Sequence, residues 1–163
     1  MLINKCEFPH RVKIYEALWT IVDKRIEILE SDSSLYKAKI YSSSRQKYYL
    51  VTFDKLNNSI ISNDNASYYK WHLWYPSIAL LIYLNILERN DDIIKYFSNI
   101  KWKDINVTNN NDFDKTVLEI NNYLFWLGLD MEEFSEYIIS LENNIKILDL
   151  SILWEKTIPP KWY

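Results

Sequence analysis

The sequence predicts an α+β fold with an N-terminal helix, a small antiparallel two- to three-stranded sheet and a helical C-terminal half. Three observations predict it: apolar side chains recur at helical spacing near the N-terminus, alternate with period two over residues 35–53, and return to helical spacing after Pro76. The length of 163 residues suits a single domain over 1–163, with a helix and hairpin part over 1–75 and a helical part over 76–163.

The N-terminal helix is predicted over Pro9–Leu29. Proline suits the first turn of a helix, where its missing N–H is not needed. The apolar side chains recur at steps of three and four residues, which is the spacing of one helix face. They are Val12, Tyr15, Trp19, Val22, Ile26 and Leu29. The polar run over residues 30–34 predicts the break that follows.

Two alternating segments predict a β-hairpin. Residues 35–41 and 47–53 are rich in β-branched and aromatic types, which favour strands. The Ser-rich run over 42–46 predicts the hairpin loop. A second turn over 55–58 leaves residues 59–62 to supply the third strand, if one is formed.

The region after the sheet predicts helices separated by one polar loop. Pro76 suits the first turn of an apolar helix over 77–89, and a short helix is predicted to end at Phe97. The Asn-rich run over 105–111 predicts a loop.

Start and stop signals define the last helices. Asp112 and Asp130 precede helical patterns and suit N-caps, and Gly128, the one glycine of the chain, predicts the end of the first of these helices. A final helix is predicted over 145–156. The terminal pair Trp162–Tyr163 is expected to dock, either against its own domain or into a groove of a partner.

Aromatic side chains greatly outnumber the residue types that most enzyme chemistry uses. The chain has seven Trp, thirteen Tyr and six Phe, but one Gly, one Cys and two His. Reaction sites usually need a reactive thiol, clustered imidazoles, a metal cage or a glycine-rich phosphate loop. We therefore expect a non-catalytic binding protein, not an enzyme, with no cofactor.

The charge differs between the two halves of the chain. Residues 1–82 contain eleven Lys and Arg against eight Asp and Glu, a net +3, whereas residues 83–163 contain eight against fourteen, a net −6. An anionic partner is expected to contact the first half. The single cysteine, the absence of a signal-peptide pattern and an apolar run too short to span a bilayer predict a soluble, cytoplasmic protein with no membrane partner.

The densest aromatic segment, Tyr68–Tyr75, lies next to the basic hairpin in sequence. Exposed aromatic faces stack on nucleobases, and lysine or arginine side chains contact phosphates. The predicted nucleic-acid or partner-binding residues are Lys37, Lys39, Arg45, Lys47, Lys70, Trp71, His72 and Trp74. The alternative is that these rings pack between the sheet and the helix that follows.

Metal and carboxylate sites are not predicted. The soft or borderline metal donors are Cys6, His10 and His72, which lack the spacing of a tetrahedral site. The carboxylates of residues 112–136 invite a paired-carboxylate hydrolase, but most of them fall in first turns of helices, where capping and the helix dipole already explain them.

The hairpin region resembles the SWIM-type zinc finger over roughly residues 17–88. The residues that carry the resemblance are the hairpin strands 36–41 and 48–51, Ile60-Ile-Ser62 where Cys-x-Cys falls, and Lys70-Trp-His72 where Cys-x-His falls. Three of the four zinc positions are replaced, so the resemblance implies a degenerate finger without metal. It also implies DNA or protein interaction.

These observations together predict a non-catalytic interaction module. Its expected partner is nucleic acid, or a protein of a nucleic-acid complex, bound through the basic, aromatic hairpin face. The alternative is a small inhibitor or immunity-type protein that blocks a partner enzyme through acidic and aromatic contacts. The sequence also allows a second copy of the chain as the partner, in a homodimer.

Overall fold

The computed structural model of the chain describes residues 4–155 and 157–161. It confirms the α+β class. The helices are α1 (Arg11–Val22), α2 (Asn65–Lys70), α3 (Tyr75–Tyr83), α4 (Asp91–Ile94), α5 (Trp102–Thr108), α6 (Phe113–Trp126) and α7 (Met131–Leu148). The strands are β1 (Ile26–Ser31), β2 (Leu35–Tyr41), β3 (Tyr48–Asp54), β4 (Ser59–Ser62) and β5 (Ser151–Ile152).

The sheet is larger than the predicted two or three antiparallel strands. Its order is β1-β2-β3-β4-β5, in which the first four strands form an antiparallel meander and β5 runs parallel to β4. The predicted hairpin and the optional third strand correspond to β2, β3 and β4. The additional strands are β1 and β5, which occupy the two edges of the sheet.

The predicted helix Pro9–Leu29 ends at Val22, so the last third of the prediction is wrong. Lys24 has a left-handed backbone with φ 53°, which an α-helix does not contain. Ile26 and Ile28 then point toward the core and pair with Ile40 and Ala38 of β2. Apolar residues at this spacing fit either period over a short segment, and pairing with β2 decides for the strand.

Three further segments differ from the sequence prediction. The helix predicted over 77–89 is α3, which ends at Tyr83 because Asn85 has a left-handed backbone with φ 55°. The predicted loop 105–111 belongs mostly to α5, because Trp102 is buried beside Trp19 and holds the segment against the core. The predicted helix 145–156 is instead the end of α7, which stops at a left-handed Asp149 before β5. The corrections at 105–111 and 145–156 reflect tertiary contacts that local sequence does not show.

The helix start and stop signals of α6 and α7 are confirmed. The Asp112 side chain accepts a hydrogen bond from the backbone N–H of Lys115, and Asp130 accepts from Glu132 and Glu133. Gly128 follows α6 with φ 88°, a conformation that glycine adopts at little cost. The predicted docking of Trp162–Tyr163 lies outside the described residues.

Helix α1 is the centre of the core. Nine of its twelve residues are buried, because it contacts both α3 and the last helices. The Tyr15 ring lies 5.8 Å from that of Phe97 and 5.4 Å from that of Phe134. Its hydroxyl donates to Asn121 Oδ1 at 2.8 Å, which joins α1 to α6. Much of the aromatic excess is therefore core.

A buried arginine joins α1 to the sheet. The Arg25 guanidinium stacks 4.1 Å from the centroid of the Trp19 ring and donates to the carbonyl of Tyr41 and to Thr20 Oγ1. Burial lowers the pKa of Arg25.

In the described part of the chain, no helix combines the length and the apolar character that crossing a bilayer requires.

Candidate functional site

The structure brings three of the predicted binding residues into one cavity, which we call the aromatic cleft. Its volume is about 820 Å³. The predicted residues Lys70, His72 and Trp74 are joined there by side chains from the N-terminal segment, α2 and α6. The cleft is lined by Phe8, Pro9, His10, Asn65, Ala66, Tyr69, Lys70, His72, Trp74 and Phe113.

Backbone pairing of the N-terminal segment builds one side of the cleft. The Glu7 N–H donates to the carbonyl of Trp71, and the Leu73 N–H donates to the carbonyl of Glu7. This bridge places Phe8 and His10 beside the aromatic segment 68–75. Both histidines of the chain therefore line the same cavity.

A row of four rings forms the wall of the aromatic cleft. The centroid distances are 5.8 Å from His72 to Trp74, 6.4 Å from Trp74 to Phe113 and 5.3 Å from Phe113 to His10. The buried Lys13 ammonium lies 4.2 Å from the Trp74 centroid and 4.7 Å from that of Phe113. Its charge is neutralised by Glu16 at 2.8 Å. These contacts fix the rings in place.

His10 is committed to capping α1. Its Nδ1 accepts a hydrogen bond from the Val12 N–H at 3.1 Å, so the ring proton lies on Nε2 and is donated to Asp114 Oδ1 at 3.1 Å. A nitrogen occupied by a backbone N–H is not available as a general base. The geometry therefore gives His10 a structural role.

His72 contacts a carboxylate as well. Its Nε2 lies 3.3 Å from Glu7 Oε2. Although Cys6, His10 and His72 all lie in this part of the fold, residues 4–155 and 157–161 include no group of three or more His, Cys, Asp or Glu side chains that could hold a metal ion.

The predicted hairpin cations do not line the aromatic cleft. Lys37 and Lys39 alternate with the buried Ala38 and Ile40 of β2, so they lie on the outer face of the sheet. Lys37 Nζ is 3.3 Å from Glu30 Oε2, and Lys39 Nζ is 4.8 Å from the Tyr48 ring centroid.

The other predicted residues lie elsewhere. Arg45 in the hairpin loop donates to the carbonyl of Asp23 at 2.6 Å, which ties the loop to the end of α1. Lys47 lies at the end of the same loop, just before β3. Trp71 is 42% exposed and ends α2 with φ 60°, next to the aromatic cleft but outside its lining.

A second surface, which the sequence interpretation did not assign to particular residues, covers the outer side of α6. Leu118 and Phe125 are two helical turns apart and are 62% and 59% exposed, and the adjacent Trp126 is 82% exposed. The buried stripe Thr116, Ile120 and Leu124 faces the opposite way. Exposed carboxylates precede and follow these three apolar residues along α6 and at the start of α7.

We call this surface the acidic aromatic face. It consists of Leu118, Phe125 and Trp126 with the exposed carboxylates Asp114, Glu119, Asp130, Glu132, Glu133 and Glu136. The Phe125 and Trp126 rings contact edge to face at 5.7 Å. The available sequence signal was the Phe-Trp pair at the end of α6, because only one of two successive helical residues can face the core.

One known protein family matches most of the chain. The family described as Uncharacterised conserved protein UCP014422 matches residues 6–151, which include the aromatic cleft and the acidic aromatic face. No curated protein and no solved structure matches the chain. The kinship with SWIM-type fingers stays a prediction. Because the match covers most of its length, the chain belongs to the family UCP014422.

Proposed function

We propose that this protein is a non-catalytic interaction module that binds a basic protein partner through the acidic aromatic face. Its mode of action is that of a small inhibitor or immunity-type protein. The observation that carries this proposal is the 82% exposure of Trp126 beside the exposed Phe125 and Leu118. Contiguous exposed aromatic residues with a polar border are typical of protein interfaces.

The exposed rings can supply much of the binding free energy. Tryptophan is among the residues most enriched at interface hot spots, where truncation costs about 2 kcal/mol or more. The structure gives Trp126 little to do within the fold, since most of its surface faces solvent. The ring is therefore available to a partner, and its neighbour Phe125 enlarges the same contact.

The charge around these rings defines the kind of partner. Residues 112–136 contain seven Asp and Glu and one Lys, which gives a net charge of −6. A field of one sign accelerates encounter with a partner of opposite sign and disfavours anionic partners. A basic protein surface is thus the expected complement, and a nucleic acid would be repelled.

The hairpin face supports nucleic-acid binding less well. Lys39 and Lys37 of β2 pair in register with Glu27 and Glu30 of β1, so acidic side chains adjoin both lysines. Binding to phosphates needs several cations that are free to replace counterions. Nucleic-acid binding through Lys37, Lys39, Arg45 and Lys47 is therefore the competing outcome of the experiment below.

The reactive groups of the chain favour a non-catalytic role. Burial raises the pKa of the Cys6 thiol to about 11, so the thiolate nucleophile is scarce at neutral pH. His10 is occupied by the cap of α1 and by Asp114. Neither arrangement resembles an activated nucleophile and its base.

Site-specific photo-crosslinking tests this proposal. A photoreactive phenylalanine derivative replaces exposed Asn122, which lies between Leu118 and Trp126 on α6, and a matched variant carries it at Leu56, 81% exposed in the β3–β4 turn. In extracts of the source cells, we expect position 122 to capture one basic protein and position 56 to capture none.

The outcomes distinguish the two hypotheses. A third variant carries the photoreactive residue at Tyr48 on the hairpin. Crosslinks to nucleic acid from position 48, with none to protein from position 122, would contradict the proposal and favour the hairpin face.

A further inference from the structure

We infer that the aromatic cleft is a separate binding site for a planar heteroaromatic ring of the nucleobase class. This inference is independent of the proposed protein partner, because the aromatic cleft and the residues Leu118, Phe125 and Trp126 share no side chain. Its volume of about 820 Å³ falls within the range of small-molecule sites.

The ring wall suits stacking by a neutral ring rather than by a cation. Lys13 is buried and does not line the cleft, so it contacts Trp74 and Phe113 from behind. The Lys13–Glu16 pair behind the wall has no net charge, so it offers a ligand in the cleft no charge to pair with. The cleft side of the wall therefore favours a flat, uncharged π-system, which every nucleobase provides.

Polar groups at the edge of the aromatic cleft match the heteroatoms of such a ring. The Asn65 amide both donates and accepts hydrogen bonds, as the edges of nucleobases do. His72 offers a second ring nitrogen besides the Nε2 that faces Glu7. Neutral aliphatic or purely aromatic ligands would leave these groups unused.

The charge of the rim limits how anionic the ligand can be. Lys70 lines the cleft and is the cation of the lining that can meet a phosphate. Glu7 and Asp114 lie beside the two histidines and face them. Within the cleft a single phosphate can be paired with Lys70, so the expected free ligand is a nucleoside or a nucleoside monophosphate. The same base can also come from single-stranded nucleic acid.

Isothermal titration calorimetry of the full chain tests the inference. The probes are adenosine, adenosine monophosphate, uridine monophosphate, a uridine hexanucleotide and ribose 5-phosphate, which has no base. The variants are Tyr69→Ala, which removes a cleft side chain that is 68% exposed, and Lys70→Ala. The matched controls on the hairpin side are Tyr48→Ala, 42% exposed, and Lys55→Ala.

We expect saturable binding of at least one base-bearing probe and none of ribose 5-phosphate. Tyr69→Ala should weaken that binding about tenfold through lost stacking, whereas Tyr48→Ala and Lys55→Ala leave it unchanged. Lys70→Ala should weaken the binding of the monophosphates and leave the binding of adenosine unchanged. If the hexanucleotide binds more tightly than the monophosphates, the base that occupies the cleft comes from single-stranded nucleic acid. If the monophosphates bind more tightly, it comes from a free nucleotide.

Three results would overturn the inference. They are no binding of any base-bearing probe at millimolar concentration, equal binding of ribose 5-phosphate, and loss of binding in Tyr48→Ala without loss in Tyr69→Ala. Unchanged circular dichroism of each variant shows that its fold is kept. The Trp126→Ala variant should bind the nucleotide as the wild type does, so failure here is distinguishable from failure of the proposed protein interface.

Discussion

The aromatic residues of this chain divide into core rings and surface rings, and a pair of truncations tests that division. Phe134 is 2% exposed and packs against both Tyr15 and Phe97, whereas Trp126 is 82% exposed at the end of α6. We therefore predict that Phe134→Ala destabilises the fold strongly and that Trp126→Ala, although it removes the larger ring, hardly changes stability.

The magnitude follows from the surroundings of each ring. Truncating a fully buried phenylalanine costs about 3–5 kcal/mol, because apolar burial is lost and a cavity remains. The centroid of Phe134 lies 5.4 Å from that of Tyr15 and 5.9 Å from that of Phe97, so ring–ring contacts are lost too. Trp126 makes few contacts, and its truncation should stay within about 0.5 kcal/mol.

Urea denaturation followed by circular dichroism measures both free energies of unfolding. With an m-value of about 2 kcal/mol/M, Phe134→Ala should lower the urea midpoint by about 2 M. A domain of this size has a total stability of about 5–15 kcal/mol, so this variant could be largely unfolded at the outset. In that case Phe134→Leu, which keeps most of the volume, should give an intermediate midpoint. A cost below about 1 kcal/mol for Phe134→Ala, or above about 1.5 kcal/mol for Trp126→Ala, would refute the division.

Three further predictions concern the backbone, the buried hydroxyls and the buried cation. Gly128→Ala should lower the free energy of unfolding by about 1 kcal/mol, because φ 88° strains an alanine although nothing lies within 4 Å of its Cβ. Chemical denaturation measures this, and Gly128→Asn should lower it less. An unchanged denaturation midpoint for Gly128→Ala would contradict the backbone argument. Burial raises the pKa values of Tyr15 and Tyr137 to about 12, above the roughly 10 of an unfolded tyrosine. The stability that their protonated hydroxyls contribute to the folded state is therefore present below pH 10 and is lost as pH rises toward 12. Burial raises the pKa of Tyr75 as well, so tyrosinate absorbance should show at least three hydroxyls that ionise later in the folded protein than in the unfolded chain. Ionisation of every tyrosine near pH 10, as in an unfolded chain, would refute the prediction. Arg25→Met should lower the free energy of unfolding by about 1–3 kcal/mol, because the Tyr41 carbonyl and the Thr20 hydroxyl lose their charged donor. Thermal denaturation measures the change. A stabilised variant would contradict this and show that the buried charge destabilises the fold.

Local chemistry explains which elements could be predicted from the sequence. The hairpin β2–β3 and the caps Asp112 and Asp130 depend on neighbouring residues alone, so pattern and capping signals identify them. Gly128 is equally local. The edge strands are not, because β1 needs the edge of β2 and β5 needs the edge of β4.

The candidate site shows the same contrast. The segment 68–75 was recognisable as aromatic and basic, and Lys70, His72 and Trp74 do meet in the aromatic cleft. Phe8, His10 and Phe113 reach it from segments far away in the sequence, through the Glu7 bridge and the start of α6. Long-range pairing of this kind leaves no periodic trace in a single sequence.

Burial also separates the two possible meanings of an aromatic excess. Trp19, Trp102 and Phe97 serve the core, and the Trp126 ring, which belongs to the same residue class, faces solvent. Helical periodicity marks the core stripe of α6 at Ile120 and Leu124, but it gives no role to Leu118, Phe125 and Trp126, which lie outside that stripe. Their exposure becomes visible only when α6 is placed against α1 and α7.

The dissociation constant of the complex with the crosslinked partner tests the central claim most directly. It is measured by titration for the wild type, Trp126→Ala and the exposed-aromatic control Tyr48→Ala. A hot-spot residue costs about 2 kcal/mol or more, so we expect Trp126→Ala to raise the constant at least about 30-fold. Tyr48→Ala should leave it within about twofold. An unchanged constant for Trp126→Ala, with a large rise for Tyr48→Ala, would contradict the assignment of the acidic aromatic face as the interface.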